Sequence, residues 1–349
     1  MHAWAFRTRF RRAAFGWKGS KLAIERIHEA IAEIRAVARQ DPASSAEGAV
    51  LLLERLSPAL NQVDSSSGAL GKATYAVVLD LVPLIRTAPV DIAVRKRWLD
   101  RLFAAIQEDD PPYIESLGDH WGELCATPEL ASSWADQLLP TLRNVLRERK
   151  RGTYAFFPGT TLCYSALFKA GRHDELLELL AMEPRPIWPY MIWGARVLVA
   201  RGQVDEAIAY ARERAGSTTS LETIARFAED TLLQAGRRGE AFDQYALLAN
   251  QANSNLSTFS ALAKKYQPGT GSRETAGPPR HCDARGTRQV VRHRQNAEAV
   301  RSGDRPGLGL ALRPQDLDAR CARPPDQATR LRPAGGAGGT ALDVVGPRL

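Results

Sequence analysis

Two groups of residues carry side chains able to hold a ligand or move a proton. The first is acidic: Asp109, Asp110, Glu115, Asp119, His120 and Glu123. On a helix Asp119 and Glu123 share a face at i,i+4, and His120 meets Glu123 at i,i+3. That arrangement admits a divalent metal or a general acid–base pair. The plainer reading, which we prefer, is a solvated acidic face beside the Asp109-Asp110-Pro111-Pro112 corner, with Trp121 as its packing anchor. The second group is His281, Cys282, His293 and Cys321, residue types that bind zinc. Their spacing fits no compact zinc module. No metal and no other cofactor is therefore assigned.

Gly68-Ala69-Leu70-Gly71-Lys72 invites comparison with a phosphate-binding loop. Such a loop has Gly-x-x-x-x-Gly-Lys-Ser/Thr after a buried strand. Here Ser66 stands at the first glycine position, Ala73 replaces the hydroxyl residue, and the preceding segment reads as helix. A turn that starts a helix is the better reading. Cys125 and Cys163 have apolar neighbours and read as small core residues. No Ser or Cys lies in a nucleophile-elbow motif. No catalytic residue is assigned, and the chain reads as non-enzymatic.

The elements that must position these residues are helices. From Ser20, a candidate N-cap, Ile24, Ile27, Ile31 and Ile34 recur at three- and four-residue steps. Asp41 and Pro42 end that helix and start the next, whose Leu52, Leu53, Leu56 and Leu60 point inward. A third helix is expected around Ala73 to Ile85 and a fourth from about Asp91 to Gln107. The fourth carries Ile92, Leu99, Leu102, Phe103 and Ile106 on its buried side. A fifth should run from about Tyr113 to Cys125. The sixth has Thr127 as cap and Pro128 in its first turn, and runs to about Arg147. Period-two alternation is absent over any useful length, so strands are not expected.

The second half contains a repeat. Ala170-Gly171-Arg172-His173-Asp174-Glu175-Leu176 recurs as Arg201-Gly202-Gln203-Val204-Asp205-Glu206-Ala207 and as Ala235-Gly236-Arg237-Arg238-Gly239-Glu240-Ala241. The glycines lie 31 and 34 residues apart. Glycine suits the left-handed turn that closes a helix. The acid four residues on favours the first turn of the next helix, and the small or aliphatic residue after it admits a close neighbour. This period and pattern resemble degenerate tetratricopeptide repeats. As a whole, the acid-Ser-Gly turn from Val63 to Gly71 and the later Ala-Gly-Arg-x-x-Glu copies resemble a bacterial family of helical-repeat proteins of unknown function. The resemblance covers roughly residues 20 to 266. It implies a right-handed α-solenoid of antiparallel helix pairs, carries no catalytic residue across, and leaves the activity open.

Four regions follow: a basic, aromatic N-terminal arm (1–19), an N-terminal helical-repeat region (20–150), tetratricopeptide-like repeats (151–266) and a tail (267–349). The arm interleaves Arg7, Arg9, Arg11 and Arg12 with Trp4, Phe6, Phe10, Phe15 and Trp17, and has no acid. It reads either as a segment for anionic lipid or nucleic acid or, preferred here, as a loosely ordered start that lays its aromatics on the first helix pair. Net charge is +8, but residues 267–349 hold 14 Arg against 8 acids and so supply +6 of it. The near-neutral remainder is a poor argument for nucleic-acid binding. Four scattered cysteines suit a reducing cytoplasm, and no apolar run approaches the length of a membrane span.

The tail contains no Lys, Ile, Met, Phe, Tyr or Trp and is rich in Arg, Pro and Gly. One reading is a disordered basic tail. The preferred one is a GC-rich gene read in the wrong frame. With GC-rich codons read one base later, Gln289–Val300 permits KWFATAKTLKRF. The following stretch to Leu331 permits a sequence with helical periodicity. On that reading the histidines and cysteines of the tail have no selected purpose.

In a solenoid the first helix of each pair lines the concave face, here near Thr160–Lys169, Trp188–Ala200 and Leu221–Gln234. Tyr190, Trp193, Arg196, Arg226 and Glu229 are the side chains expected there for a protein or peptide partner, although Trp193 also suits the core. The chain is accordingly expected to be a cytoplasmic interaction scaffold. The alternative is a nucleic-acid-associated protein using the N-terminal arm. Sequencing the gene across the codons for Ala261 to Val291 checks the frame. A missing or extra base is the expected result, and an intact frame would make the Arg-rich tail genuine.

Overall fold

A computed structural model describes residues 2–266 of the chain. The zinc-type residues His281, Cys282, His293 and Cys321, and every expectation about the tail, lie outside the described residues. Among the described residues all regular structure is helical and no strand occurs. The N-terminal elements are α1 (Phe6–Arg9), α2 (Ser20–Ala38), α3 (Pro42–Leu60), α4 (Ala69–Thr87) and α5 (Ile92–Gln107). A 3-10 helix (Glu115–His120), α6 (Trp121–Cys125) and α7 (Pro128–Lys150) follow. The later elements are α8 (Thr160–Lys169), α9 (His173–Ala181), α10 (Trp188–Ala200), α11 (Val204–Arg214) and α12 (Leu221–Gln234). The described chain closes with α13 (Arg238–Gln244), α14 (Ala246–Ala249) and α15 (Asn255–Lys265).

Helix boundaries follow local chemistry. The Asp41 carboxylate accepts from the Ser44 amide at 2.9 Å, and Pro42 opens α3 where its missing N–H costs nothing. Thr127 and Pro128 start α7 in the same way, with Thr127 Oγ1 accepting from Leu130 N at 3.3 Å. Ser20 is not a cap: it lies inside α2, Gly19 precedes it, and no side chain caps this helix. The expected fifth helix is split, because residues 115–120 wind as 3-10 before the short α6 begins. Ile92, expected on the buried side of α5, is 55% exposed at the first position of that helix, ahead of the packed residues Trp98, Leu99, Leu102 and Ile106.

The apolar core runs unbroken from Trp4 to Ile224, so the regions divided at residue 150 share one interior. Trp4, Phe6, Phe10 and Phe15 of the arm are buried in it, while Trp17 remains outside. The Glu33 carboxylate fixes the arm by accepting from the amides of Ala5 and Phe6, at 2.7 and 3.2 Å. Four of the arm's five aromatics thus pack inward as expected, whereas Trp17 does not, and the start expected to be loosely ordered is a short helix held by Glu33. Across the middle of the molecule Phe103, Trp121 and Trp134 meet edge to face or tilted. Gly118 and Gly122 allow the 3-10 helix and α6 to lie directly on α8. A Cβ on Gly122 would come within 2.3 Å of the Ser165 carbonyl oxygen, and its amide donates to Ser165 Oγ at 2.9 Å.

The three glycine turns of the sequence repeat share one structure. Gly171, Gly202 and Gly236 have φ of +73°, +77° and +75°. After each, an amide reaches back to a carbonyl five residues earlier: Arg172 to Leu167, Gln203 to Leu198 and Arg237 to Leu232, at 3.0, 2.9 and 2.8 Å. This is the left-handed closure that satisfies carbonyls at a helix end. It delivers Leu176, Ala207 and Ala241 of the next helix fully buried. Cations tie successive copies together, with Arg201 on Asp174 at 2.6 Å and Arg237 on Asp205 at 2.9 Å. These pairs are largely exposed and contribute little individually. Helix α8 packs against α7, α9 and α10, α10 against α11, and α11 against α12.

One buried cation joins the N-terminal helices. Arg95 of α5 is 5% exposed, and its guanidinium donates to the carbonyls of Ile85, Ala88 and Leu124 at 3.0, 3.0 and 3.1 Å, and to Arg86 at 3.4 Å. Those oxygens terminate α4 and α6, so the cation meets the negative ends of two helices and no carboxylate. Burial pulls its basicity down, offset in part by Cys125. Replacing Arg95 by Leu removes the guanidinium from four carbonyls, of which Ile85 and Ala88 keep a backbone amide donor (Ala88 N at 3.4 Å and Val90 N at 3.0 Å), and a loss of about 3 kcal/mol is expected. Arg95→Lys keeps the charge but not the planar fan, and should recover about half of that. Denaturant unfolding of the two variants checks both values.

Candidate interaction surface

The α7–α8 connection supplies a recess bordered by exposed aromatics. Arg149, in the last turn of α7, anchors it. Its Nε donates to the Ala155 carbonyl at 2.8 Å, and its guanidinium pairs with Glu183 at 2.6 Å. The pair is enclosed, at 13% and 3% side-chain exposure. The same guanidinium lies over the Tyr190 ring, 5.5 Å from its centroid. Burial is the main cause raising the Tyr190 hydroxyl above its ordinary pKa, with Arg149 opposing it. Together these residues floor a cavity of about 240 Å³ walled by Tyr154, Phe156 and Ile187. Tyr154 is 89% exposed and Phe156 55%. Such exposed rings suit a hydrophobic or cationic side chain entering from outside.

A second part of the surface lies between the 3-10 helix and α10. The acidic cluster does not act as a unit there. Asp109 is spent on backbone, accepting from the Tyr113 and Ile114 amides at 3.0 and 2.8 Å. Glu123 pairs with Arg86 at 2.9 Å and faces His120 Nδ1 at 3.6 Å. Among the described residues neither Glu115 nor Asp119 has an ion-pair partner or a side-chain hydrogen bond. Burial pushes both carboxyls above their ordinary pKa, Glu115 with help from the charges of Asp109 and Asp119. The charge facing Asp119 is Arg196, whose basicity burial lowers and whose guanidinium sits 4.5 Å from the Trp193 ring centroid. Among the described residues no group of three or more His, Cys, Asp or Glu side chains is placed to hold a metal ion.

Of the five residues expected to meet a partner, Tyr190 lines the cavity and Arg196 is half-buried above Trp193. Arg226 is exposed and its Nε donates to the Ala249 carbonyl at 2.9 Å. Two are internal. Trp193 is 2% exposed and belongs to the core. Glu229 is fully buried and accepts from Asn250 Nδ2, Lys265 Nζ and the Tyr266 hydroxyl at 2.8, 2.6 and 2.7 Å. The chain after α14 folds back over this carboxylate, which removes it from any partner. The aromatic rim was missed by sequence reading, although Tyr154-Ala155-Phe156-Phe157-Pro158 between two helix ends is a legible signal.

No family model matches this chain, and neither a curated protein nor a solved structure is similar to it. The roles of its residues therefore rest on geometry. The thiols of Cys125 and Cys163 are buried and pushed up to about 12 by desolvation, far from the nucleophilic range. Ser165 Oγ is committed to Gly122 N and to the Asp119 carbonyl. Gly68 caps α4 with φ of +70°, and the Asp64 and Ser67 side chains accept from the Ser66 and Ala69 amides, so the Gly68–Lys72 segment is a turn and helix start. No helix among the described residues is long and apolar enough to cross a membrane.

The raised Asp119 carboxyl has a consequence for stability. Its folded-state pKa lies above the unfolded 3.8, so the folded chain binds that proton more tightly. The group's contribution is therefore most favourable at low pH and is lost as pH rises through this window. Asp119→Asn should raise the Tm at neutral pH, with the gain vanishing at about pH 3, below the carboxylate range. Thermal unfolding across pH measures it, and an equal change at every pH would contradict this origin.

Proposed function

We propose that this chain is a non-enzymatic α-solenoid scaffold that binds a protein segment, and that the cavity beneath Tyr154 and Phe156 is the anchor point. The observation carrying this reading is the enclosed Arg149–Glu183 pair, with Tyr190 beside it, under the two exposed rings of Tyr154 and Phe156. Aromatic and arginine side chains dominate the energetics of protein recognition. The three matching glycine turns support the solenoid, because the same closure repeated along a chain stacks helix pairs in register. On this arrangement α10 and α12 form the concave side, with Tyr190 and Arg196 along α10, whereas α8, expected there too, is covered by the 3-10 helix and α6. The tetratricopeptide-like character and the likeness to a bacterial helical-repeat family belong to the same proposal, as does a cytoplasmic setting.

The alternative is a nucleic-acid-associated protein that uses the N-terminal arm. Its support is the set Arg7, Arg11 and Arg12, which stay exposed after the aromatics are buried. Arg9 is partly spent on Glu29 at 2.5 Å.

Selection of a displayed peptide library on the full chain tests the scaffold reading. Peptides should be enriched whose affinity falls about tenfold on Tyr154→Ala/Phe156→Ala, a loss of two aromatic contacts. The variant should unfold at the parent temperature, since both side chains are exposed. Enriched peptides that ignore the double variant would remove the anchor from this cavity. Tight, steeply salt-dependent binding to duplex DNA or single-stranded RNA, lost on Arg7→Ala/Arg11→Ala/Arg12→Ala, would favour the alternative.

A further inference from the structure

We infer that α15 is the first helix of a fourth helix pair, and that its exposed apolar side, with α14, is a stacking face for a helical continuation encoded one base out of the frame that yields residues 267–349. The inference rests on the solenoid reading and extends it.

Register is the first argument. Helices α8, α10, α12 and α15 begin at residues 160, 188, 221 and 255, so the last two are spaced by 34. Their caps match. Ser220 Oγ accepts from Thr223 N at 3.3 Å and meets the Thr223 hydroxyl at 3.1 Å. Ser254 Oγ accepts from Ser257 N at 3.2 Å and meets the Ser257 hydroxyl at 2.7 Å. The same N-cap thus recurs one repeat later.

Burial is the second. In α12 the inward positions Ile224 and Ala225 are 7% and 3% exposed. One repeat on, Thr258 is 8% exposed but Phe259 is 54% exposed. Leu256 at 76%, and Leu247 and Leu248 of α14 at 60% and 37%, extend the uncovered patch. A phenylalanine at a position that is interior in the preceding repeat needs a following helix to cover it.

The translated sequence after Tyr266 is poorly suited to that task, since it contains no Ile, Met, Phe, Tyr, Trp or Lys. With GC-rich codons the second frame permits those types at helical spacing, and on that ground the occupant is taken as the chain's own continuation. A second copy of the protein on the same face is the competing occupant.

The test compares two full chains, one expressed from the gene as it stands and one from the gene with a single base removed between the codons for Tyr266 and Gln289. Amide hydrogen exchange is followed by mass spectrometry, with light scattering for oligomeric state. In the edited chain, α15 amides should slow by about tenfold or more, and Phe259→Ser should reverse that slowing without effect on the unedited chain. Equal exchange of α15 in both chains would overturn the inference. So would aggregation of the edited chain, loss of protection in its α2–α7, or an unedited dimer with α15 already protected. Unprotected α8–α13 in both chains would instead sink the solenoid reading, whereas protected α8–α13 with an unprotected α15 fails the end face alone.

Discussion

Every helix that ends inside a protein leaves carbonyl oxygens in need of donors, and this chain meets that demand in two ways on which its packing depends. In the second half a left-handed glycine turns the backbone so that its own amides reach back, and the turn recurs at Gly171, Gly202 and Gly236. In the first half a single guanidinium, Arg95, collects the carbonyls ending α4 and α6. The first device is local and repeatable, so each turn aims the next helix in the same direction. The second is long-range: it requires α5 to lie against both helix ends at once. Both devices give helix ends donors from the chain itself beside the shared core that runs from Trp4 to Ile224.

This difference explains what could be read from the sequence. Local closure leaves a local mark, so Gly-x-x-x-Glu copies announced the turns, and the expected bounds of α8, α10 and α12 coincide with the observed ones. Asp41-Pro42 and Thr127-Pro128 were legible for the same reason. Arg95 left no mark, since an arginine among Arg and Lys neighbours on α5 looks like any solvated cation. The 3-10 winding at residues 115–120 was equally hidden, because it depends on Gly118 and Gly122 meeting α8, a partner over forty residues away. Glu229 was misread because a carboxylate on an amphipathic helix normally faces water. Its three partners come from the chain beyond α14.

At the surface, composition was a weak guide. The densest acidic stretch is divided between a backbone cap at Asp109, an arginine pair at Glu123 and the Asp119 carboxyl facing Arg196, so its chemistry is set by neighbours and not by its charge count. The basic arm is likewise mixed: its rings are core and most of its arginines are surface. The aromatic run after α7 behaves in the opposite way. Phe157 packs against the core, whereas Tyr154 and Phe156 point outward above an ion pair that holds their loop in place.

The buried Glu229 carries a consequence for how much chain the gene can lose. A nonsense codon replacing Lys265 would remove only two of the described residues, neither of them a core side chain. It would nonetheless leave an enclosed carboxylate with Asn250 as its one remaining partner, having lost both an ammonium and a phenol. A stop just after Tyr266 would leave the same carboxylate fully satisfied. The shortest product that keeps this carboxylate paired is therefore set by electrostatics, well past Ala249, the last buried apolar residue among those described.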